Sequence, residues 1–183
     1  MITRTMLTAA VLIGLLGPST AFAQEPERTR QGFWFSGGLG WGTADCEACV
    51  NDRVGGAAAV LALGGTLSQK LLLGASLNGW FKQEGDVTLA LGATTAALRF
   101  YPARNAGLFL LGGLGVSSRA IKTDVGNVSV TVSDNGTAAL LGAGYDLRVA
   151  RNLSLTPFAN VIGVDFDGQG TGFTQVGLSL TVH

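Results

Sequence analysis

From Gly32 to the C-terminus the chain alternates apolar with small or polar residues at period two, the signature of strands exposed differently on their two faces. Phe33, Phe35, Leu39 and Trp41 fall on one side, and Ser36, Gly38, Gly40 and Gly42 on the other. Ala57, Ala59, Leu61 and Leu63 form a second row, and Leu71, Leu73, Ala75, Leu77 and Phe81 a third, opposite Gly74, Ser76, Asn78 and Lys82. A fourth strand runs from about Val87 to Tyr101, and a bulge near its middle would change its faces. Leu108, Leu110, Leu114 and Val116 mark a fifth; Leu141, Ala143, Tyr145 and Leu147, opposite Gly142, Gly144, Asp146 and Arg148, a sixth. Leu153, Leu155, Ala159 and Val161 mark a seventh, and Val176, Leu178, Leu180 and Val182 an eighth. Each is near the ~9–11 residues that a tilted membrane-spanning strand needs.

Alternation alone fits two opposite barrels. A water-soluble barrel turns its apolar face inward, and a membrane barrel turns it outward. Here Gly and Ser dominate the non-apolar face, and the chain is 47% hydrophobic with only 13% charged residues. A solvated wall would carry many more charges, whereas small residues suit the narrow lumen of eight strands. Hydrocarbon also demands closure, because an open sheet edge leaves backbone groups unpaired. The pattern therefore predicts an all-β fold: an eight-stranded antiparallel up-and-down transmembrane β-barrel. A soluble exported lipocalin-like barrel holding an apolar ligand, and a narrow channel, are the alternatives.

The first 23 residues stand apart. Arg4 precedes an apolar run from Met6 to Gly17, and Ala21 and Ala23 supply the small residues of a cleavage site, as in a signal peptide. The expected organisation is a cleaved signal peptide at 1–23, a short periplasmic segment at 24–30 and the barrel at 31–183. The run is shorter than the roughly 20 residues of a spanning helix.

The connections divide into two sets. Short ones are expected at Ser68–Lys70, Pro102–Gly107 and Ala150–Asn152; longer or more acidic ones at Ala44–Arg53, Gln83–Asp86, Ile121–Gly136 and Asp165–Gly170. Turns at one rim and loops at the other characterise outer-membrane barrels. The valines at 125, 128, 130 and 132 alternate, so the flanks of the third loop are expected to extend the wall as a hairpin. Charge splits the same way. The loop set holds Asp45, Glu47, Asp52, Glu84, Asp86, Asp124, Asp134, Asp165 and Asp167 against Arg53, Lys82, Arg119 and Lys122, while the turn set holds Lys70, Arg99, Arg104, Arg148 and Arg151 against Asp146. A net charge of zero thus conceals one acidic and one basic end, and it gives no support to a nucleic-acid partner. Phe33, Trp34, Trp41, Trp80, Phe81, Phe100, Tyr101 and Phe166 lie near strand ends, where interfacial girdles are expected.

Gly32-Phe33-Trp34-Phe35, Leu98-Arg99-Phe100-Tyr101-Pro102, Gly112-Gly113-Leu114-Gly115 and Gly144-Tyr145-Asp146-Leu147-Arg148 resemble segments of the small outer-membrane, porin-like barrels related to opacity-type surface antigens and the barrel domain of outer-membrane protein A. The resemblance covers the whole mature chain. It implies a cell outer-membrane location in a Gram-negative-type bacterium, among outer-membrane lipids, rather than an activity; the acidic outward loops suggest membrane integrity, adhesion, or contact with lipopolysaccharide through bridging cations as candidate roles. It also implies insertion by the barrel-assembly machinery, although the outward row ends at Val182, with His183 following it, rather than at the aromatic residue common in such proteins. A monomer is expected.

Few residues suggest chemistry. Cys46 and Cys49 lack the following helix of a redox motif and the further ligands of a zinc site, so a loop disulfide is expected. Asp45, Glu47 and Asp52 form at most a weak divalent-cation site. Arg99, Asp146 and Arg148 are expected to face the lumen and pair there, because a buried charge must be compensated. His183 shares a face with Ser179, and no acid is evident to orient its imidazole. No cofactor is expected, and the chain reads as a non-enzymatic surface barrel.

Overall fold

The computed structural model describes residues 30–45, 53–85, 87–104, 106–125, 128–166 and 168–183. Ala21 and Ala23 with the rest of the leader, and Cys46, Glu47, Cys49 and Asp52 in the first loop, lie outside the described residues.

Among the described residues the chain forms β1 (Phe33–Asp45), β2 (Arg53–Ser68), β3 (Leu71–Glu84), β4 (Val87–Phe100), β5 (Leu108–Val125), β6 (Val128–Tyr145), β7 (Leu147–Ala150), β8 (Leu153–Phe166) and β9 (Gln169–Val182). The short β7 continues β6 past a break at Asp146, so the nine segments make eight staves. Each strand pairs antiparallel with its chain neighbour, and β1 pairs with β9 to close the sheet into an up-and-down barrel. Opposed inward glycines, such as Gly40 with Gly177 and Gly64 with Gly74, bring neighbouring backbones together where the wall bends; a Cβ on Gly40 would overlap the Val176 carbonyl.

The apolar rows look outward. Leu39 and Leu114 are each 73% exposed and Leu141 is 70%, while Leu140 and Ala138, on the same strand as Leu141, are buried inside. This arrangement is that of a membrane barrel and the reverse of a lipocalin-like one, whose apolar face lines the interior. β4 pairs with β3 and β5 without any register shift, so its faces follow simply: Ala93, Thr95, Ala97 and Arg99 point in.

Two sequence expectations need correction. The bore is not filled by glycine and small polar groups alone, because Trp34, Leu72, Trp80, Leu140, Ile162 and Phe173 are buried within it. Accordingly the expected girdle splits: Phe33, Trp41, Phe81 and Phe100 face outward, but Trp34, Trp80, Tyr101 and Phe166 face inward. Adjacent residues of a strand point to opposite faces, so neighbours such as Trp80 and Phe81 cannot both join a girdle. The connections, too, are less asymmetric than expected. β3 to β4, β5 to β6 and β8 to β9 are each joined by two residues, whereas β4 to β5 takes the seven residues 101–107. The flanks of the third loop extend the wall as a hairpin, as its alternating valines suggest: β5 and β6 are 18 residues long and stay paired up to Val125 and Val128. Gly85 and Gly168 adopt positive φ in their tight turns, a conformation that costs glycine little.

Candidate functional site

The bore is occupied along its length, with different chemistry at each level. At the turn end the sixth stave opens at Asp146, whose N–H donates to the Gly107 carbonyl at 3.0 Å while its carboxylate enters the barrel. There it accepts hydrogen bonds from the Tyr101 hydroxyl at 2.7 Å and the Thr156 hydroxyl at 2.8 Å, and the imidazole of His183 stands 3.5 Å away. The hydroxyls of Thr156, Thr181, Ser36 and Ser179 carry the network across the seam between β1, β8 and β9. A buried carboxylate with two aligned donors is compensated, as low-dielectric surroundings require. Burial raises the Tyr101 hydroxyl well above its usual pKa, with Arg99 opposing and Asp146 adding to the rise, so it remains a donor.

Of the three charged residues expected to meet in the lumen, Asp146 and Arg148 line one cavity of about 10 Å³ together with Arg30, Ser154 and His183. That volume is close to one water molecule. Arg99 is also buried, but it is held differently. Its guanidinium lies 4.5 Å from the Trp34 ring and 4.2 Å from the Phe109 ring, and it acts on Asp146 through space.

Arg30, expected in a segment preceding the barrel, packs into the barrel's base. Its guanidinium sits 3.6 Å over the Tyr101 ring and donates to the carbonyls of Arg104 and Ala106 at 3.1 and 2.8 Å. Nothing in the sequence around it signals this. His183 is the other correction: an acid does stand beside it, namely Asp146. Ser179 is engaged with Ser36 and with the Thr156 carbonyl, at 3.2 and 3.3 Å, and is 4% exposed, so it is placed for neither nucleophilic attack nor substrate access.

Midway up, Asn160 donates to Asn78 at 3.2 Å, and Gln175 donates across the bore to the Gly79 carbonyl at 2.8 Å. Toward the loop rim the lining turns apolar, with Leu140, Ile162, Val164, Phe166 and Phe173 packed around Trp80, whose indole N–H donates to the Gly42 carbonyl. At that rim Arg53 faces Asp45 at 3.5 Å, Lys82 faces Glu84 at 3.0 Å and Arg119 faces Asp134 at 3.1 Å. Asp45, the described member of the weak cation trio, is thus already paired.

A polar network set among aromatic rings at the turn end, apolar packing toward the loop rim, and apolar rows outside are the features of a small outer-membrane-type β-barrel fold. No family model matches the chain, and no curated protein matches it in sequence. Solved structures share its fold. Neisserial surface protein A is 12% identical, with 82% of this chain and 96% of that one covered and a TM-score of 0.61. Ail, the attachment invasion locus protein of Yersinia pestis, is 15% identical, with 84% and 99% covered and a TM-score of 0.60; Ail has also been solved in complex with the heparin analogue sucrose octasulfate. The N-terminal β-barrel domain of Pseudomonas aeruginosa OprF is 14% identical, with 82% and 98% covered and a TM-score of 0.54. At the level of fold, the chain is similar to the small barrels that its sequence resembles.

Proposed function

We propose that this chain is a non-enzymatic, non-conducting surface barrel of the cell outer membrane, whose outward contacts are carried by its acidic loop rim. The observation that carries the reading is the combination of exposed leucine rows with a bore packed by Trp34, Leu72, Trp80, Leu140 and Ile162. A wall of that kind dissolves in lipid, and a filled bore leaves the rims as the surfaces on which specificity can reside. The loop set carries more acids than bases, so a polyanion such as the heparin analogue bound to Ail is a poor electrostatic match for it. Lipopolysaccharide bridged by divalent cations is the better match, since carboxylate and phosphate oxygens both suit Mg²⁺ and Ca²⁺.

Fractionation with heat-modifiable gel migration tests the location, and association with purified lipopolysaccharide tests the contact. The chain is expected in the detergent-extracted outer-membrane fraction, binding lipopolysaccharide with Mg²⁺ present and losing it with a chelator. Recovery in a detergent-free periplasmic fraction would overturn the location, and chelator-insensitive binding would overturn the cation bridge. Discrete ion steps in planar bilayers would overturn the closed bore.

A further inference from the structure

The turn end holds a second feature that the reading above does not use. A pocket of about 500 Å³ opens between the approach to β1, the turn from β2 to β3, and the turn from β4 to β5. Arg30 and Gln31 lie on one side of it, Ser68, Gln69 and Lys70 on another, and Arg104 on the third. Arg30 belongs to its floor: its guanidinium is tied to backbone carbonyls and stacked on Tyr101, and its backbone N–H donates to the Gln69 side chain at 3.2 Å. That bond fixes the β2–β3 turn against the base of the barrel. Lys70 and Arg104 are exposed at the mouth, and among the described residues neither faces a carboxylate. Among the described residues the acidic side chain of this end, Asp146, is turned into the bore.

The pocket is also half in the membrane wall. Leu67, which lines it, is 63% exposed, and Phe33, next to Gly32 of the lining, is 66% exposed. An occupant that satisfies both sides carries a negative headgroup and an acyl chain. We infer that this pocket binds the headgroup of an anionic phospholipid in the turn-side leaflet, with Lys70 and Arg104 taking the phosphate and Ser68 and Gln69 the polar remainder, while Leu67 and Phe33 meet the first segments of the chains. Phosphate suits this set because Arg and Lys both donate to its oxygens and the site lies at the interface, where desolvation is partial. The inference presumes a membrane location, which fractionation tests by itself, and it does not depend on the loop-rim contact.

The test uses the folded full chain in phosphatidylcholine vesicles with spin-labelled phosphatidylglycerol or phosphatidylcholine as the probe. Wild type is expected to select phosphatidylglycerol, by about fivefold for each basic side chain at low ionic strength, with the preference shrinking as salt is added. Lys70→Gln with Arg104→Gln is expected to bring the preference near unity with heat-modifiable migration retained. Arg151→Gln, an exposed base on the same rim but outside the pocket, is expected to leave it in place. The inference is overturned if wild type shows no preference or a salt-independent one, a result that needs no variant. It is equally overturned if the Lys70 and Arg104 pair of substitutions leaves the preference unchanged, or if Arg151→Gln abolishes it. Full competition by inorganic phosphate at constant ionic strength would identify a free anion as the occupant and overturn the lipid assignment.

Discussion

Replacing Leu39 by Arg separates a lipid-facing wall from a water-facing one by magnitude. Leu39 lies at the middle of β1, between Ala59 on β2 and Leu178 on β9, and 73% of it is exposed. Its side chain therefore contributes little to the packed interior, and the surrounding medium sets the effect of a change. In a bilayer, Arg on the lipid face near the midplane costs about 2–4 kcal/mol, falling to about 0–1 near the interface. In water, an exposed Leu→Arg change stays within about 0.5 kcal/mol. Val149 is the depth control: it too is outward and 58% exposed, but it lies on β7 beside the Arg151 turn. With a urea dependence of ~2 kcal/mol per M, Leu39→Arg is expected to lower the unfolding midpoint in phospholipid vesicles by about 1–2 M, and Val149→Arg by less than about 0.5 M. Equal, small shifts at both positions would refute the reasoning.

Three further substitutions probe the wall and the interior. A Cβ on Gly115 would overlap the Thr94 carbonyl, whereas the nearest atom to one on Gly79 is 4.0 Å away. Gly115→Ala is therefore expected to lose about 1–3 kcal/mol by overpacking and Gly79→Ala less than about 0.5 kcal/mol, both read by chemical unfolding; reversed ranks would contradict the close approach of β4 and β5. Asp146→Asn leaves Tyr101 and Thr156 without a charged acceptor, and a loss of about 2–3 kcal/mol is expected in the same assay. An unchanged midpoint would show that the carboxylate is not what holds the turn end together.

The faces of most strands were legible because the period-two rule needs no tertiary information: Leu71, Leu73 and Leu77 read outward, as they lie, and so did Val176 through Val182. β4 resisted because Ala90, Ala93, Ala96 and Ala97 are compatible with either face, and only the pairing with β3 and β5 decides them. The aromatic misreading came from proximity to strand ends outweighing parity at Trp34 and Phe33. What fills the bore is a contact between residues far apart in sequence, such as Gln175 with Gly79 or His183 with Asp146, and no local pattern announces it. Arg30 illustrates the same limit, since its partners Gln69, Arg104 and Ala106 come from two distant turns.

The three tryptophans give the central claim its most direct measurement. Trp41 is 60% exposed on the outer wall, whereas Trp34 and Trp80 are 2% and 1% exposed within the bore. In vesicles of brominated-chain phospholipid, fluorescence quenching is expected from the wild-type chain and is expected to vanish in Trp41→Phe, with aqueous iodide having little effect on either. Quenching of Trp41 by iodide and not by the brominated chains would place water outside the barrel and contradict the account.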